Sequence, residues 1–400
     1  MSLNIPPYHV QPLISSVFGI YDNSNAALDV EVKCVQAFGS EIYVGCSNGE
    51  VLLFALQANG PDKPESYNLL TRQMLPTGKP VDEIVLTPSI SRALVLSDRQ
   101  IFFFVIPSLE LLGIKPIRNV MAFAVDHRHI VRPVPSMDSP MPFLPIEFCV
   151  VKRSGIALYS LRESLKYLKE IPLQGGAFLA RRIGLCLCIA DREFYSLISL
   201  DAVTATQLLP ISQVPTEPGT RPRRPMIQVV AEEEFLILSW TGAGTMGLFI
   251  NLNGDPVRGT LQWPTHPLSL SLEYPYVTAL LPDQTIEVHN VESQEIVQTV
   301  PAPPLPSPNE TSLAALLGEE RRALSMSSNG FLVPSRQSEK LALKKVNLLS
   351  RNAKPGGREV VPTLPVGAEE TQETTYVTED TAESGVHADE RPLPTTPYDL

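Results

Sequence analysis

The chain has 400 residues, 44% of them apolar, a low charged fraction of 19% and a net charge of −11. That is ample material for a large core, while the acidic balance excludes general phosphate-backbone binding, so no nucleic-acid partner is expected. The opening MSLNIPPYHV has neither the basic nor the apolar region of a secretory signal. No stretch reaches the ~18 uncharged apolar residues of a membrane span. The expectation is a cytoplasmic protein whose association with any membrane is peripheral.

The first strong element is EIYVGCSNGEVLLFAL, Glu41–Leu56. Ile42 and Val44 precede, and Val51 and Leu53 follow, a turn whose Asn-Gly pair tolerates positive φ, which reads as a β-hairpin. The plan recurs along the chain. Arg92–Leu112 turns at Ser97–Gln100, Glu147–Ile171 turns at Arg153–Gly155, and Ile183–Leu200 and Glu234–Gly254 follow. Tyr276–Val300 is the sixth unit, and Arg322–Val346, more polar, the seventh. Their spacing is irregular but brackets the roughly 40–50 residues of propeller repeats. Short apolar runs between units (Val81–Thr87, Leu268–Leu272) supply further strands.

Four short strands per unit, seven units and almost no amphipathic helix describe an all-β, seven-bladed β-propeller. One such sheet has two apolar faces and open edges, so it is stable only when stacked on neighbours around a closed ring. Tyr8–Tyr21 contains a strand-like segment expected to latch that ring by joining the last blade. Ser160–Glu170, despite helix-like leucine spacing, is read as strand–turn–strand, and Asn309–Glu320 as a short connector helix. Proline clusters at Pro61–Pro64, Pro133–Pro145, Pro215–Pro225 and Pro301–Pro308 mark loops. The expected boundaries are a propeller over 1–349 and a disordered tail over 350–400. From Arg351 that tail holds ten acids against four bases and few large apolar side chains.

Chemistry-bearing residues are sparse. Cys34, Cys46, Cys149, Cys186 and Cys188 lie in apolar runs without C-x-x-C spacing and read as buried, reduced thiols. His127 and His129 alternate with Asp126 on an apparent strand, but no third metal ligand accompanies them. Glu287 and His289 are an acid–base spacing inside a strand, and Gly242–Gly244 is a turn without a following helix. No catalytic residue, cofactor or metal is expected. The remaining candidate is TRPRRPM, Thr220–Met226, where Arg221, Arg223 and Arg224 ride a proline-stiffened loop suited to an acidic protein surface or an anionic headgroup.

From Glu234 onward the sequence is more specific. Gly247–Asn251, Gly254, Pro256, Arg258, Trp263, Pro267, Pro275–Val277, Ile286–His289 and Gln298 together resemble the citron-homology (CNH) domain. The first blades are similar to the branch of that family found in transforming-growth-factor-β receptor-associated proteins and in Rab-binding subunits of fungal CORVET and HOPS tethers. The resemblance covers about residues 12–348. It implies a non-enzymatic interaction propeller that binds a Rab-type small GTPase, with other tethering-complex subunits as partners, at an endosomal or vacuolar membrane. Full-length relatives continue into an α-solenoid, so this chain is expected to match their N-terminal propeller and linker. Nucleotide-exchange activity towards the same GTPase, or a hydrolase using the central channel, are the alternatives the sequence leaves open.

Overall fold

The computed structural model describes residues 7–14, 30–57, 66–133, 144–215 and 222–302, together with the backbone of strands between 320 and 348. These lie in one unit, Met1–Arg351. The helix expected at Asn309–Glu320 falls outside the described residues except at Glu320, which begins a strand, and the tail from 350 falls outside them entirely.

Strand β1 (Tyr8–Ile14) precedes a series of meanders. Blade 1 is β2 (Val32–Phe38), β3 (Glu41–Cys46), β4 (Glu50–Gln57) and β5 (Ser66–Met74), and blade 2 is β6 (Val81–Thr87), β7 (Arg92–Ser97), β8 (Gln100–Val105) and β9 (Ile117–Arg118). Blade 3 is β10 (Ala122–Val125), β11 (Ile146–Val151), β12 (Gly155–Leu161) and β13 (Leu165–Pro172), and blade 4 is β14 (Leu179–Ile183), β15 (Cys186–Ala190), β16 (Phe194–Ser199) and β17 (Thr204–Pro210). Blade 5 is β18 (Ile227–Ala231), β19 (Glu234–Trp240), β20 (Thr245–Asn251) and β21 (Leu261–Trp263). Blade 6 is β22 (Ser269–Glu273), β23 (Tyr276–Leu280), β24 (Ile286–Asn290) and β25 (Ile296–Val300). Each is a four-stranded antiparallel sheet in sequence order.

The all-β propeller is therefore present, with six four-stranded blades and not the expected seven. The seventh hairpin unit joins a sheet of different make. In it β1 pairs with β29 (Lys340–Leu348), β29 with β28 (Gly330–Gln337), and both β26 (Glu320–Arg321) and β27 (Ser325–Ser327) with β28. Strand β27 touches β2 of blade 1 and β22 of blade 6. The first strand thus closes the circle as the latch reading requires. Tyr8 packs with Tyr276, Leu280, Ile286 and Val288 of blade 6, whereas Ile14 packs with Val32, Ile42 and Val44 of blade 1. Its edge is also fixed by Gln298, whose side chain accepts from the Tyr8 N–H and donates to the Tyr8 carbonyl, both at 2.9 Å.

Stacking explains the burial pattern. The middle strands β3, β7, β11 and β15 are buried at nearly every position because both faces meet a neighbouring blade, while outer β5 has no buried position and β13 only one. Apolar clusters span successive pairs of blades, such as Tyr43 and Leu53 with Ile84, Val95 and Phe104. Close approach is enforced at Gly45, where a Cβ would lie 2.6 Å from both Cys34 Sγ and a Val81 methyl. Ser160–Glu170 is strand–turn–strand, as read from the sequence.

Candidate interaction site

Two regions attract attention as sites. The first is the central channel, a cavity of about 620 Å³ lined by inner-strand residues of all six blades. Its polar groups include Gln36, Glu83, Arg181, Gln228, Ser271 and Glu273. Arg181 and Glu83 form an ion pair at 3.2 Å between blades 4 and 2, and burial lifts the Glu273 carboxyl above the usual carboxylate range. The lining is mixed, and the Glu83 carboxylate in it is bridged by Arg181.

The second is the rim carrying the turns between the second and third strands of each blade. Asp98 and Arg99 both take positive φ, 49° and 57°, so β7 and β8 are joined by a two-residue turn that follows strand twist and lifts Arg99 outward. Arg153 occupies the corresponding turn of blade 3, between β11 and β12. In blade 4 the turn is built by Asp191, whose Oδ1 accepts the N–H groups of Glu193 and Phe194, each at 2.7 Å. Arg192 between them is exposed and lies over the Phe178 ring, 5.6 Å from its centroid. A cavity of about 830 Å³ is lined by Arg99, Arg153, Arg192, Phe178, Val120 and Met121, with Asp191 and Glu193 on its wall. A smaller one of about 370 Å³ adjoins it through Arg192 and Glu193 and ends at Pro222 and Arg223.

Of the basic loop expected to meet a partner, Arg221 lies outside the described residues; Arg223 and Arg224 are exposed on the connector between β17 and β18. The described part of this connector is firmly held. The Gln213 N–H donates to the Trp240 carbonyl and the Trp240 N–H to the Ile211 carbonyl, both at 2.8 Å. Arg223 stacks on Trp240 at 4.5 Å, a cation–π contact of about 0.5–1 kcal/mol at an exposed site. The Arg224 carbonyl is 2.8 Å from His266 Nε2, and His266 Nδ1 is 3.1 Å from the Thr245 hydroxyl. Burial, with Arg223 nearby, pushes the His266 imidazole below its ordinary value despite the bond to the Arg224 carbonyl. A neutral ring that donates from Nε2 and accepts at Nδ1 satisfies both partners. Past the arginines, the Met226 N–H donates to the Tyr195 hydroxyl at 3.0 Å.

Arg99, Arg153, Arg192 and the His266 anchor escaped the sequence reading. A usable signal was present: aligning the hairpins puts an arginine in three successive turns, in SDRQ, KRSG and DREF. The other singled-out residues have structural settings. His127 and His129 are not on a strand, because the Asp126 carboxylate accepts the Arg128 N–H and caps a one-turn helix, His127–Ile130. His129 Nδ1 instead accepts the Glu147 N–H at 2.9 Å. His289 bonds Glu287 at 3.2 Å and lies against Trp263, ring centroids 5.0 Å apart. Burial raises the cysteine thiols, Cys149 and Cys186 to about 11 and Cys46 to about 12, which keeps them protonated and unreactive. Among the described residues no helix is long and apolar enough to cross a membrane.

Residues 38–307, more than half of the chain, match the family model of the CNH domain. The chain belongs to the CNH domain family. Among curated relatives it is 28% identical over 278 residues to transforming growth factor-beta receptor-associated protein 1 of Bos taurus, covering 68% of this chain and 30% of that protein. It is 23% identical over 297 residues to vacuolar protein sorting-associated protein 3 of Saccharomyces cerevisiae, covering 69% and 26%. The chain thus spans under a third of these relatives' lengths. Among solved structures, the AfRom2 CNH domain superposes with a TM-score of 0.53 at 16% identity, over 86% of this chain and all of the other. The Neurospora crassa Pan2 WD40 domain gives the same score at 9% identity, over 85% of this chain and 96% of that one. At such identities these two likenesses concern the propeller fold alone.

Proposed function

We propose that this CNH domain is a non-enzymatic interaction propeller of a vesicle-tethering subunit of the CORVET or HOPS type. It acts on the cytoplasmic face of endosomal or vacuolar membranes by binding a Rab-type small GTPase, while the acidic region from residue 350 serves as a linker to other tethering components. The vacuolar-sorting names among its relatives support the trafficking setting. The observation that carries a partner surface is the anchored connector. Arg223 on Trp240 and Arg224 above His266 are presented by a held backbone, so a partner's acidic side chains meet them with little ordering cost. GTP dependence follows if the partner surface includes the switch segments that its γ-phosphate orders.

Pull-down of a panel of Rab proteins loaded with a GTP analogue or GDP tests this reading. The expected result is one GTPase retained in the GTP-analogue state and lost with Arg223→Glu/Arg224→Glu. A panel with no nucleotide-dependent binder would sink it.

A further inference from the structure

The cavity bounded by blades 2, 3 and 4 has a composition that the GTPase reading does not use. Arg99, Arg153 and Arg192 come from three successive blade turns, all exposed, and none makes an ion pair among the described residues. Elsewhere Arg72, Arg181, Arg182 and Arg258 each hold a carboxylate. Three guanidinium groups, none of them in an ion pair, outnumber the two carboxylates, Asp191 and Glu193, that share the cavity, and are complementary to an anionic ligand.

We propose that this groove binds an acidic, extended peptide segment of a partner protein. The cavity, about 830 Å³, is far larger than a single phosphate fills, and the arginines stand one blade apart and so suit charges repeated along a chain. Its lining is apolar as well as charged. Met121 and the half-exposed Phe178 ring offer side-chain contacts that a free inorganic anion cannot use. Asp191 and Glu193 argue for a peptide over a membrane surface. Asp191 is occupied by two backbone N–H groups, but Glu193 stays exposed and repels a continuous anionic plane. A peptide with discrete carboxylates places them on the arginines and turns amide donors to Glu193. Successive side chains of an extended segment point to opposite sides, so alternate residues face the apolar floor while their neighbours reach the rim.

The proposal stands apart from the GTPase reading and is tested on the full chain. The probe is a fluorescein-labelled decapeptide of glutamates interspersed with leucines, followed by anisotropy. Saturable binding is expected, weakened about tenfold or more by Arg153→Glu/Arg192→Glu and weakened by added salt. It should survive Arg223→Glu/Arg224→Glu within about twofold, since those side chains lie outside this cavity. A lysine-for-glutamate peptide should not bind. Absence of saturable binding, or equal affinity in the folded Arg153→Glu/Arg192→Glu variant, overturns the proposal. So does sedimentation with phosphatidylserine vesicles that needs Arg153 and Arg192 when the peptide does not bind.

Discussion

Two groups of arginines divide the propeller. Arg258 sits where blade 5 meets blade 6 and is saturated: its Nε and Nη2 donate to the two oxygens of Glu234 at 2.6 and 3.0 Å, and its Nη1 donates to Glu292 at 2.8 Å. Tyr274 donates its hydroxyl to the same Glu292. The hydrogen bonds to Glu234 are the largest influence and hold the guanidinium more firmly charged than usual, with Glu292 adding to it. Arg182 is also paired, buried between blades 3 and 4 with Nε on the Gly184 carbonyl at 2.7 Å and Nη2 on Glu147 at 2.8 Å, although its Nη1 has no hydrogen-bond partner among the described residues. Arg99, Arg153 and Arg192 have no such partner among the described residues. The difference lies in placement. Arginines between blades are consumed in holding blades together, whereas those on the turns are left for something outside the ring.

The comparison breaks hardest at Arg258. Arg258→Met leaves the Glu234 carboxylate, 8% exposed, without its bidentate donor, and the expected loss is about 3 kcal/mol of stability in urea or thermal unfolding. A second change sharpens the reading. Removing both charges with Glu234→Leu/Arg258→Met should recover part of that loss, because the penalty lies in the stranded carboxylate and not in the missing attraction. A double variant no more stable than the single one would mean that packing of the Arg258 stem dominates.

A smaller effect is read through pH. His127, His129 and His266 are all pushed below the ordinary histidine value of 6.5, in each case chiefly by burial. In the unfolded chain they take up protons near that pH, while folded they resist until the pH is lower. Stability is therefore full above about pH 6.5 and falls as pH drops below it, levelling only beneath the folded values. His266→Gln, which can still donate to the Arg224 carbonyl, should flatten part of this slope in pH-dependent melting curves. An unchanged slope would assign it to His127 and His129, near the Asp126 cap.

Much of this architecture was legible in the sequence, for a physical reason. Hairpins with tight polar turns, such as Glu41–Leu56 and Arg92–Val105, fix their own register locally, so each blade announces itself. The N-terminal latch was also readable, because Tyr8 and Ile14 are apolar anchors in a segment left over from any complete blade. Blade count was not. The unit at Arg322–Val346 has the same hairpin grammar, but whether such a unit forms a four-stranded meander depends on which strands it pairs with, and β29 takes β1. The candidate site was legible only in its clustered part. Arg223 and Arg224 stood out by clustering, but Arg99, Arg153 and Arg192 are scattered one per blade, and ring closure alone brings them to a common cavity. Trp240 and His266 carried no local signal, since their roles are set by a connector that passes over them.

The smallest expected effect is the most discriminating one. If the turn arginines are free of structural duty, reversing Arg153 should leave stability within about 0.5 kcal/mol of the parent. Its turn is closed by the backbone, with the Lys152 N–H donating to the Gly155 carbonyl at 2.8 Å, and its side chain makes no ion pair among the described residues. Arg99 differs in one respect. Its carbonyl accepts the Val120 N–H at 3.0 Å and its φ is +57°, so the backbone there is under demand while the guanidinium is not. Arg99→Asn, which tolerates that φ, should therefore be silent in urea unfolding, whereas Arg99→Val should be destabilising through the backbone alone. A loss of more than about 1 kcal/mol in Arg153→Glu or Arg99→Asn would show these side chains to be structural, and the line between consumed and available arginines would have to be redrawn.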